Sequence, residues 1–275
     1  MKISSYSYEN FYVHYSLDQE PDPASFSMHA HEQYELFCFL GGNAVFWVEG
    51  TPYRLEPDDV MLFNIAESHR ISVDPNTPYE RIAILFTPDF LDQIDPACQL
   101  LRPFTTHGLG KNNILHPGDF SSRYWKSCLT NIFADDARDR RLRILTNLLP
   151  LLNEVNDAFT HRAEKSEAHG DVSQRVFEYI NTNLASDLSA DVVAKELFIS
   201  RSVLFSLIRK ATGTTFWNYV TIKRLLKAKQ LLGGGMKPTK VYAVCGFKDY
   251  STFYRAYFKH FGTSPKQDAG KAHAI

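Results

Sequence analysis

The sequence predicts an α+β chain in two parts: an N-terminal antiparallel β-barrel followed by helices, then a C-terminal all-α domain holding two helix-turn-helix motifs. Three observations carry this. From Phe26 to Phe86 the apolar runs are short, rich in aromatic and β-branched residues, and separated by turn formers. Between Ala194 and Pro265 one helix-pair unit occurs twice, with Leu204, Ile208, Gly213 and Phe216 matched by Phe253, Tyr257, Gly262 and Pro265 at a constant offset of 49 residues. The charge is also divided. Residues 171–275 carry 16 Lys/Arg against 7 Asp/Glu, a formal +9, and residues 1–170 carry 14 against 24, a formal −10, although the whole chain of 275 residues stands at −1. Oppositely charged halves indicate domains with different partners, the basic one suited to a polyanion.

Taken in order, residues 1–25 contain Ser, Tyr and Pro, end in PDPAS, and read as an extended arm. The strand candidates follow. YELFCFL runs into Gly41-Gly42, AVFWV ends at Glu49-Gly50, YRL meets Pro57-Asp58-Asp59, and VMLFNI and RIAILF complete the set. Such runs build an antiparallel barrel or sandwich. Cys38, Cys98, Cys128 and Cys245 lie far apart with no paired spacing, which points to reduced thiols rather than disulfides or a zinc knuckle. No apolar run reaches the length of a bilayer span and the N-terminus has no signal-like core, so a soluble cytoplasmic protein without a membrane partner is expected.

After Pro88 the pattern changes: PDFLDQI starts like a short helix, and residues 102–118 are irregular. From Asp119 to about Arg162 apolar residues move to helical spacing. Phe120, Tyr124, Cys128 and Phe133 mark one helix; Leu142, Leu145, Leu148, Leu149, Leu152 and Val155 mark the next, which Pro150 should kink or split. That leucine-rich face needs a cover, either the barrel or the same helix of a second subunit in a homodimer. AEKSEAHGD, residues 163–171, reads as a linker. The expected division is therefore a sensing barrel with its arm over 1–118, a helical and dimerising region over 119–162, the linker, and a tandem helix-turn-helix domain over 172–268.

In that last part Phe177, Ile180 and Leu184 give a first helix, and Asp187-Leu188-Ser189 reads as an N-cap. WNYVTIKRLLKAKQLL is a long amphipathic helix between the two units, with Tyr219, Ile222, Leu225, Leu226 and Leu231 inward and Gly233-Gly234-Gly235 at its end. Thr239 is the expected N-cap of the second unit. A reading helix enters the major groove N-terminus first, so its early exposed residues meet the bases. These are Ser200, Arg201, Ser202, Phe205, Ser206 and Arg209 in the first unit, with Lys210 on phosphate. In the second they are Lys248, Asp249, Tyr250, Ser251, Tyr254 and Arg255. Arg201 and Arg255 suit bidentate pairing with guanine, and Phe205 suits a thymine methyl.

Residues 172–266 resemble the DNA-binding domain of AraC/XylS-type bacterial transcription regulators. The resemblance rests on AKELFIS (Ala194 to Ser200), Leu204, IRKATGTTF (Ile208 to Phe216), RLLKAKQLL (Arg224 to Leu232), GFKDYSTFYR (Gly246 to Arg255) and KHFGTSP (Lys259 to Pro265). It implies two reading helices in adjacent major-groove segments of promoter DNA, about 34 Å apart. It also implies a small-molecule effector bound by the N-terminal barrel and, for an activator, contact with RNA polymerase. Departures are Tyr242 where a small residue is usual, crowding the helix crossing unless Ala243 takes that place; Pro238 at an aliphatic position; Phe258 in place of Lys; and KQDAG in place of an aromatic-Arg ending.

His29, His31 and Glu35 lie at i, i+2 and i+6, one face of a strand, and His69 lies on a later strand. Three imidazoles and a carboxylate form a ligand set for a divalent Zn, Fe, Mn or Ni ion. HAHEQYE followed by His69 is similar in type and order to the metal motifs of the cupin fold, although Asp58 replaces a usual Gly and the second motif is loose. Effector-lining residues, with Phe37 and Trp47 added to His29, His31, Glu35 and His69, are one reading of the set. Bound metal is a second, and hydrogen-bonded barrel histidines a third. The rival to a DNA-binding regulator is a metal-dependent cupin enzyme, a dioxygenase or isomerase, carrying the basic domain as passenger. No separate general acid or base stands out for it, and a non-enzymatic regulator is the expectation.

Overall fold

The structure is a computed structural model and describes residues 2–92, 94–134, 139–163 and 172–271. The strands in chain order are β1 (Lys2–Ser7), β2 (Phe11–Asp18), β3 (Tyr34–Gly41), β4 (Ala44–Val48), β5 (Thr51–Arg54), β6 (Val60–Phe63), β7 (His69–Val73), β8 (Tyr79–Phe86) and β9 (Ile114–Leu115). They form a six-stranded sheet, β1-β2-β8-β3-β6-β9, facing a three-stranded sheet, β5-β4-β7, and every pairing is antiparallel. The expected N-terminal arm is wrong. Residues 2–18 are a hairpin stitched to β8 from Phe11↔Phe86 to Asp18↔Tyr79, because alternate residues Phe11 and Val13 find the apolar face of the large sheet.

Strand β3 explains the layering. All of Tyr34–Phe39 is buried, since the strand is covered on both faces. Phe37 and Phe39 point to the small sheet and join Phe46, Val48, Met61, Phe63 and Ile71 in a core between the sheets. Leu36 and Cys38 point the other way, into a second core closed by helices α2 (Tyr124–Ile132) and α3 (Arg140–Ala163), which follow the four-residue α1 (Arg102–Thr105). The leucine-rich face is therefore covered by the chain's own sheet. Ile144, Leu148, Leu151, Leu152 and Val155 are buried there, whereas Tyr124 and Leu142, expected on inner faces, are exposed. Pro150 does not split α3, which runs through it. The stretch PDFLDQI holds one 3-10 turn, Pro88–Phe90, and the irregular 102–118 contains α1 and β9. Of the expected linker 163–171, residues 164–171 lie outside the described residues.

The C-terminal helices are α4 (Val172–Thr182), α5 (Ala190–Glu196), α6 (Arg201–Thr212), α7 (Phe216–Gly233), α8 (Pro238–Val244), α9 (Tyr250–Phe261) and α10 (Pro265–Lys271). They make two small cores. Phe177, Ile180, Val193, Leu204, Ile208, Phe216 and Tyr219 build the first; Leu225, Leu232, Val241, Phe253 and Tyr257 build the second. Helix α7 runs through both, which is why it is buried on more sides than a simple amphipathic pattern allows. Ile222 and Leu231 sit at its margins, and Phe216, Val220, Lys223 and Ala228 are fully inside. Tyr242 does not crowd the crossing: its ring meets Tyr250 edge to face at 5.9 Å, while Ala243 is exposed. In place of an aromatic-Arg ending, Asp268 on α10 accepts from the Tyr257 hydroxyl at 2.7 Å.

Candidate nucleic-acid interface and histidine cluster

Both reading helices are built from the same local parts. Ser200 caps α6 by accepting from the Val203 N–H at 3.2 Å, and Asp249 caps α9 by accepting from the Thr252 N–H at 2.7 Å. Each helix ends on a left-handed glycine, Gly213 at φ 72° and Gly262 at φ 70°, whose N–H returns to Arg209 O and Phe258 O. Leu204 and Ile208 in one copy, and Phe253 and Tyr257 in the other, are completely buried. Burying those rows turns the opposite faces outward. Arg201, Ser202, Phe205, Ser206, Arg209 and Lys210 are exposed on α6; Ser251, Tyr254 and Arg255 are exposed on α9, with Lys248 just before it.

Three of the expected contact residues also have a structural role. The side-chain oxygens of Ser200 and Asp249 also cap their own helices, and both residues are exposed. Tyr250 is half-buried, packed between Tyr242, Phe253 and Tyr254. Thr239 is not an N-cap, since α8 begins at Pro238 behind Lys237, whose side chain makes no capping bond. A proline at the first helical position fixes φ without losing a needed donor, and this sets the boundary.

The N-terminal domain grips the reading domain through a buried polar cluster that the sequence reading missed. Glu49 and Gly50 form the two-residue turn between β4 and β5, both at positive φ. Glu49, 2% exposed, accepts from Lys223 Nζ at 2.6 Å, the Tyr219 hydroxyl at 2.6 Å, Asn181 Nδ2 at 3.0 Å and the Ser68 N–H at 2.6 Å. Burial alone would raise its carboxyl, but the Lys223 ammonium and these donors hold it below the usual carboxylate range. Ser173 Oγ donates to Gly50 O at 3.0 Å, and Arg70 Nη2 donates to Lys210 O at the end of α6 at 2.9 Å. One signal was available: Lys223 falls on the apolar row of α7, one turn after Tyr219. A lysine there requires a buried anion.

The cluster expected from His29, His31, Glu35 and His69 does assemble, though not on one strand. His29 makes an isolated bridge to His69, residues 30–33 are irregular, Glu35 lies on β3 and His69 begins β7. One donor atom from each lies within 4.8 Å of the others. His31 Nε2 stands 2.8 Å from Glu35 Oε2 and His69 Nε2 stands 3.3 Å from the same oxygen. The His69 ring stacks on Phe63 at 4.2 Å. Burial would raise the Glu35 carboxyl; the two imidazoles instead hold it far below the usual range. Next to the cluster, burial lifts the Glu67 carboxyl to about 7, partly offset by donors from Gly110, Asn64 and Asn113.

Phe37 and Trp47 do not join these residues as cavity lining. Phe37 is sealed between the sheets against Phe46 at 4.9 Å. Trp47, on the other face of β4, packs on the reading domain beneath Lys210 Nζ at 5.6 Å. A cavity of about 450 Å³ lies elsewhere, between the outer face of the large sheet and α2, walled by Tyr15, Leu40, Ile82, Trp125, Leu129 and Phe133 with Lys2 and the Lys126–Asp58 ion pair among its polar groups. None of the six expected effector residues lines it.

Comparison with known proteins gives two domain matches, a helix-turn-helix domain over residues 193–269 and an AraC-like ligand binding domain over residues 12–135. The Msm operon regulatory protein of Streptococcus mutans is 22% identical over 92% of this chain and 90% of its own length. The lactose operon transcription activator of Staphylococcus xylosus is 32% identical over 34% of each chain. Among solved structures, ToxT from Vibrio cholerae O395 covers 97% of this chain and 99% of its own at 12% identity and a TM-score of 0.40, an overlap too loose to bear on ligand or mechanism.

Proposed function

The chain belongs to the AraC family of transcription regulators, as a DNA-binding regulator and not an enzyme, and from that premise we propose that it binds promoter DNA sequence-specifically under the control of a small molecule held in its N-terminal domain. The observation that carries the reading is the pair of equivalent exposed faces on α6 and α9. Residues 49 apart hold like stations: Ser202 and Ser251, Phe205 and Tyr254, Lys210 and Lys259. Arg201, Arg209 and Arg255 read base edges or hold the flanking backbone, Phe205 and Tyr254 meet thymine methyls, and Lys210 and Lys248 hold phosphates. Helix α7, 18 residues and so about 27 Å long at 1.5 Å per residue, spaces the two units on the scale of one duplex turn.

The cavity against α2 is the effector site in this reading. Its walls take an apolar body and its Lys126–Asp58 pair and Lys2 take a polar or charged group. The effector acts by population shift, favouring one arrangement of the sensing part (1–118 with helices 119–162) against the reading domain (172–268), by no more than its differential affinity for the two. Activation, with RNA polymerase as partner, is favoured because one relative is named as a transcription activator. A cytoplasmic homodimer belongs to the same reading. Its contact lies away from the leucine row of α3, which the sheet covers, and sedimentation as a monomer at every working concentration removes it.

The test is selection of bound duplexes from a random DNA pool, with and without metabolite extract, followed by titration of the selected duplex across salt. Phosphate neutralisation gives a steep fall in affinity with salt, a slope of about 0.9 per phosphate contacted. A flat response with no selected sequence refutes the proposal.

A further inference from the structure

The three imidazoles of the cluster are each fixed at Nδ1 by a backbone carbonyl, which leaves Nε2 for the space they share with Glu35. His29 Nδ1 lies 3.1 Å from Ser27 O, His31 Nδ1 lies 2.8 Å from Gln33 O, and His69 Nδ1 lies 2.8 Å from Glu67 O. A carbonyl oxygen only accepts, so each Nδ1 carries a hydrogen, and Nε2 is the atom left to take either a proton or a metal ion. At His31 and His69 that nitrogen lies beside one carboxylate oxygen of Glu35, at 2.8 and 3.3 Å. His69 Nε2 is buried and has no hydrogen-bond partner. One donor atom from each of the four residues lies within 4.8 Å of the others, so once Nε2 gives up its proton a single cation can be held by all four. A backbone carbonyl on the far nitrogen is also the arrangement that fixes tautomer and aim in imidazole ligands. Three nitrogens and one carboxylate favour ions that accept imidazole, not Mg²⁺ or Ca²⁺, which want oxygen.

The same residues border the domain contact. Between His31 and His69 runs the Asn64–Ser68 segment, where the Ala66 N–H donates to His31 O at 2.9 Å and Ala66 O accepts from Lys223 Nζ at 3.1 Å. The Ser68 N–H donates to Glu49 Oε1 at 2.6 Å. We propose that His29, His31, Glu35 and His69 bind one first-row divalent transition-metal ion, and that the ion, by tying His31 to His69, steadies the Ala66 and Ser68 contacts with Lys223 and Glu49.

The experiment uses the full chain stripped with chelator, then offered Zn²⁺, Ni²⁺ or Mg²⁺ separately. Metal content after gel filtration and competition against a chromophoric chelator give stoichiometry and affinity. One equivalent of Zn²⁺ or Ni²⁺ and no Mg²⁺ should be retained. His29→Ala and Glu35→Gln should each weaken binding at least about ten-fold, as loss of metal-orienting groups does. His29 is the exposed member, so its variant keeps the fold, checked by circular dichroism. Hydrogen exchange with the ion bound should slow at residues 64–69 and in α7. Zinc held no better than magnesium, or held equally well by both variants, overturns the site; an imidazolium–carboxylate pair in its place gives that result. Stoichiometric metal with unchanged exchange at 64–69 and α7 overturns the coupling. Neither outcome touches the DNA-reading proposal, whose readout is the duplex.

Discussion

Arg255 and Arg201 are exposed on the two reading helices, each beside an aromatic side chain at the surface. Arg201 lies 3.3 Å from Asp191 and over the Phe205 ring at 5.6 Å, both at the surface, contacts weak enough for DNA to replace. Arg255→Ala should cost about 1–3 kcal/mol of binding and relax preference at one base pair, whereas Lys210→Ala should weaken all duplexes alike and lower the salt slope by about 1. Competition among single-base variants of the selected duplex, repeated at several salt concentrations, separates the two behaviours. These positions were legible in the sequence because helical spacing sorts buried from exposed residues. The capping role of Ser200 and Asp249 is a second duty, since a polar residue at a helix start also serves the helix's own N–H groups.

At the scale of elements, the two left-handed glycines and Pro150 separate backbone cost from packing. A Cβ on Gly262 would meet nothing within 4 Å, so Gly262→Ala isolates the penalty of the left-handed conformation, about 1–2 kcal/mol. A Cβ on Gly213 would lie 3.0 Å from the tip of Arg70, a flexible group, so Gly213→Ala should cost a similar amount and loosen the Arg70–Lys210 contact as well. Urea unfolding of both variants checks the comparison. Pro150 inside α3 removes one helix hydrogen bond. Pro150→Ala should therefore raise stability by about 1–2 kcal/mol, read as a higher melting temperature; an unchanged or lower value would mean that ring packing outweighs the missing bond. Helix continuity through Pro150 was not legible in the sequence, because the sheet beneath α3 holds the helix against a local breaker.

For the whole molecule, the buried Glu49–Lys223 pair is the joint. Lys223→Ala leaves a buried carboxylate without its cation, a loss of about 3–5 kcal/mol. The double variant Glu49→Leu with Lys223→Met should recover most of it, since well-packed apolar groups replace such a pair at little cost. Thermal unfolding of the three proteins tests this. Because the folded carboxyl of Glu49 is held below its unfolded value, its contribution is complete above the ordinary carboxylate range and is lost as pH falls through the lower folded value. Glu49→Gln should flatten that acid limb. At Gly50, a Cβ would fall 2.0 Å from the Phe177 ring, so Gly50→Ala should part the domains, seen as faster hydrogen exchange in α4 and α7.

The sequence by itself determined the α+β division, both helix pairs with their glycine ends, and the residue types of the histidine cluster. Each of these is set by local spacing: period 3.6 in helices, short strands between turns, a fixed repeat. Only the tertiary structure decided that residues 2–18 are strands, that α3 covers the sheet, that Trp47 faces the reading domain, and that Glu49 meets Lys223 from 174 residues away. Those outcomes depend on which apolar faces find each other across the chain, and on a buried charge needing its opposite. Neither depends on near neighbours in sequence, so no local pattern encodes them.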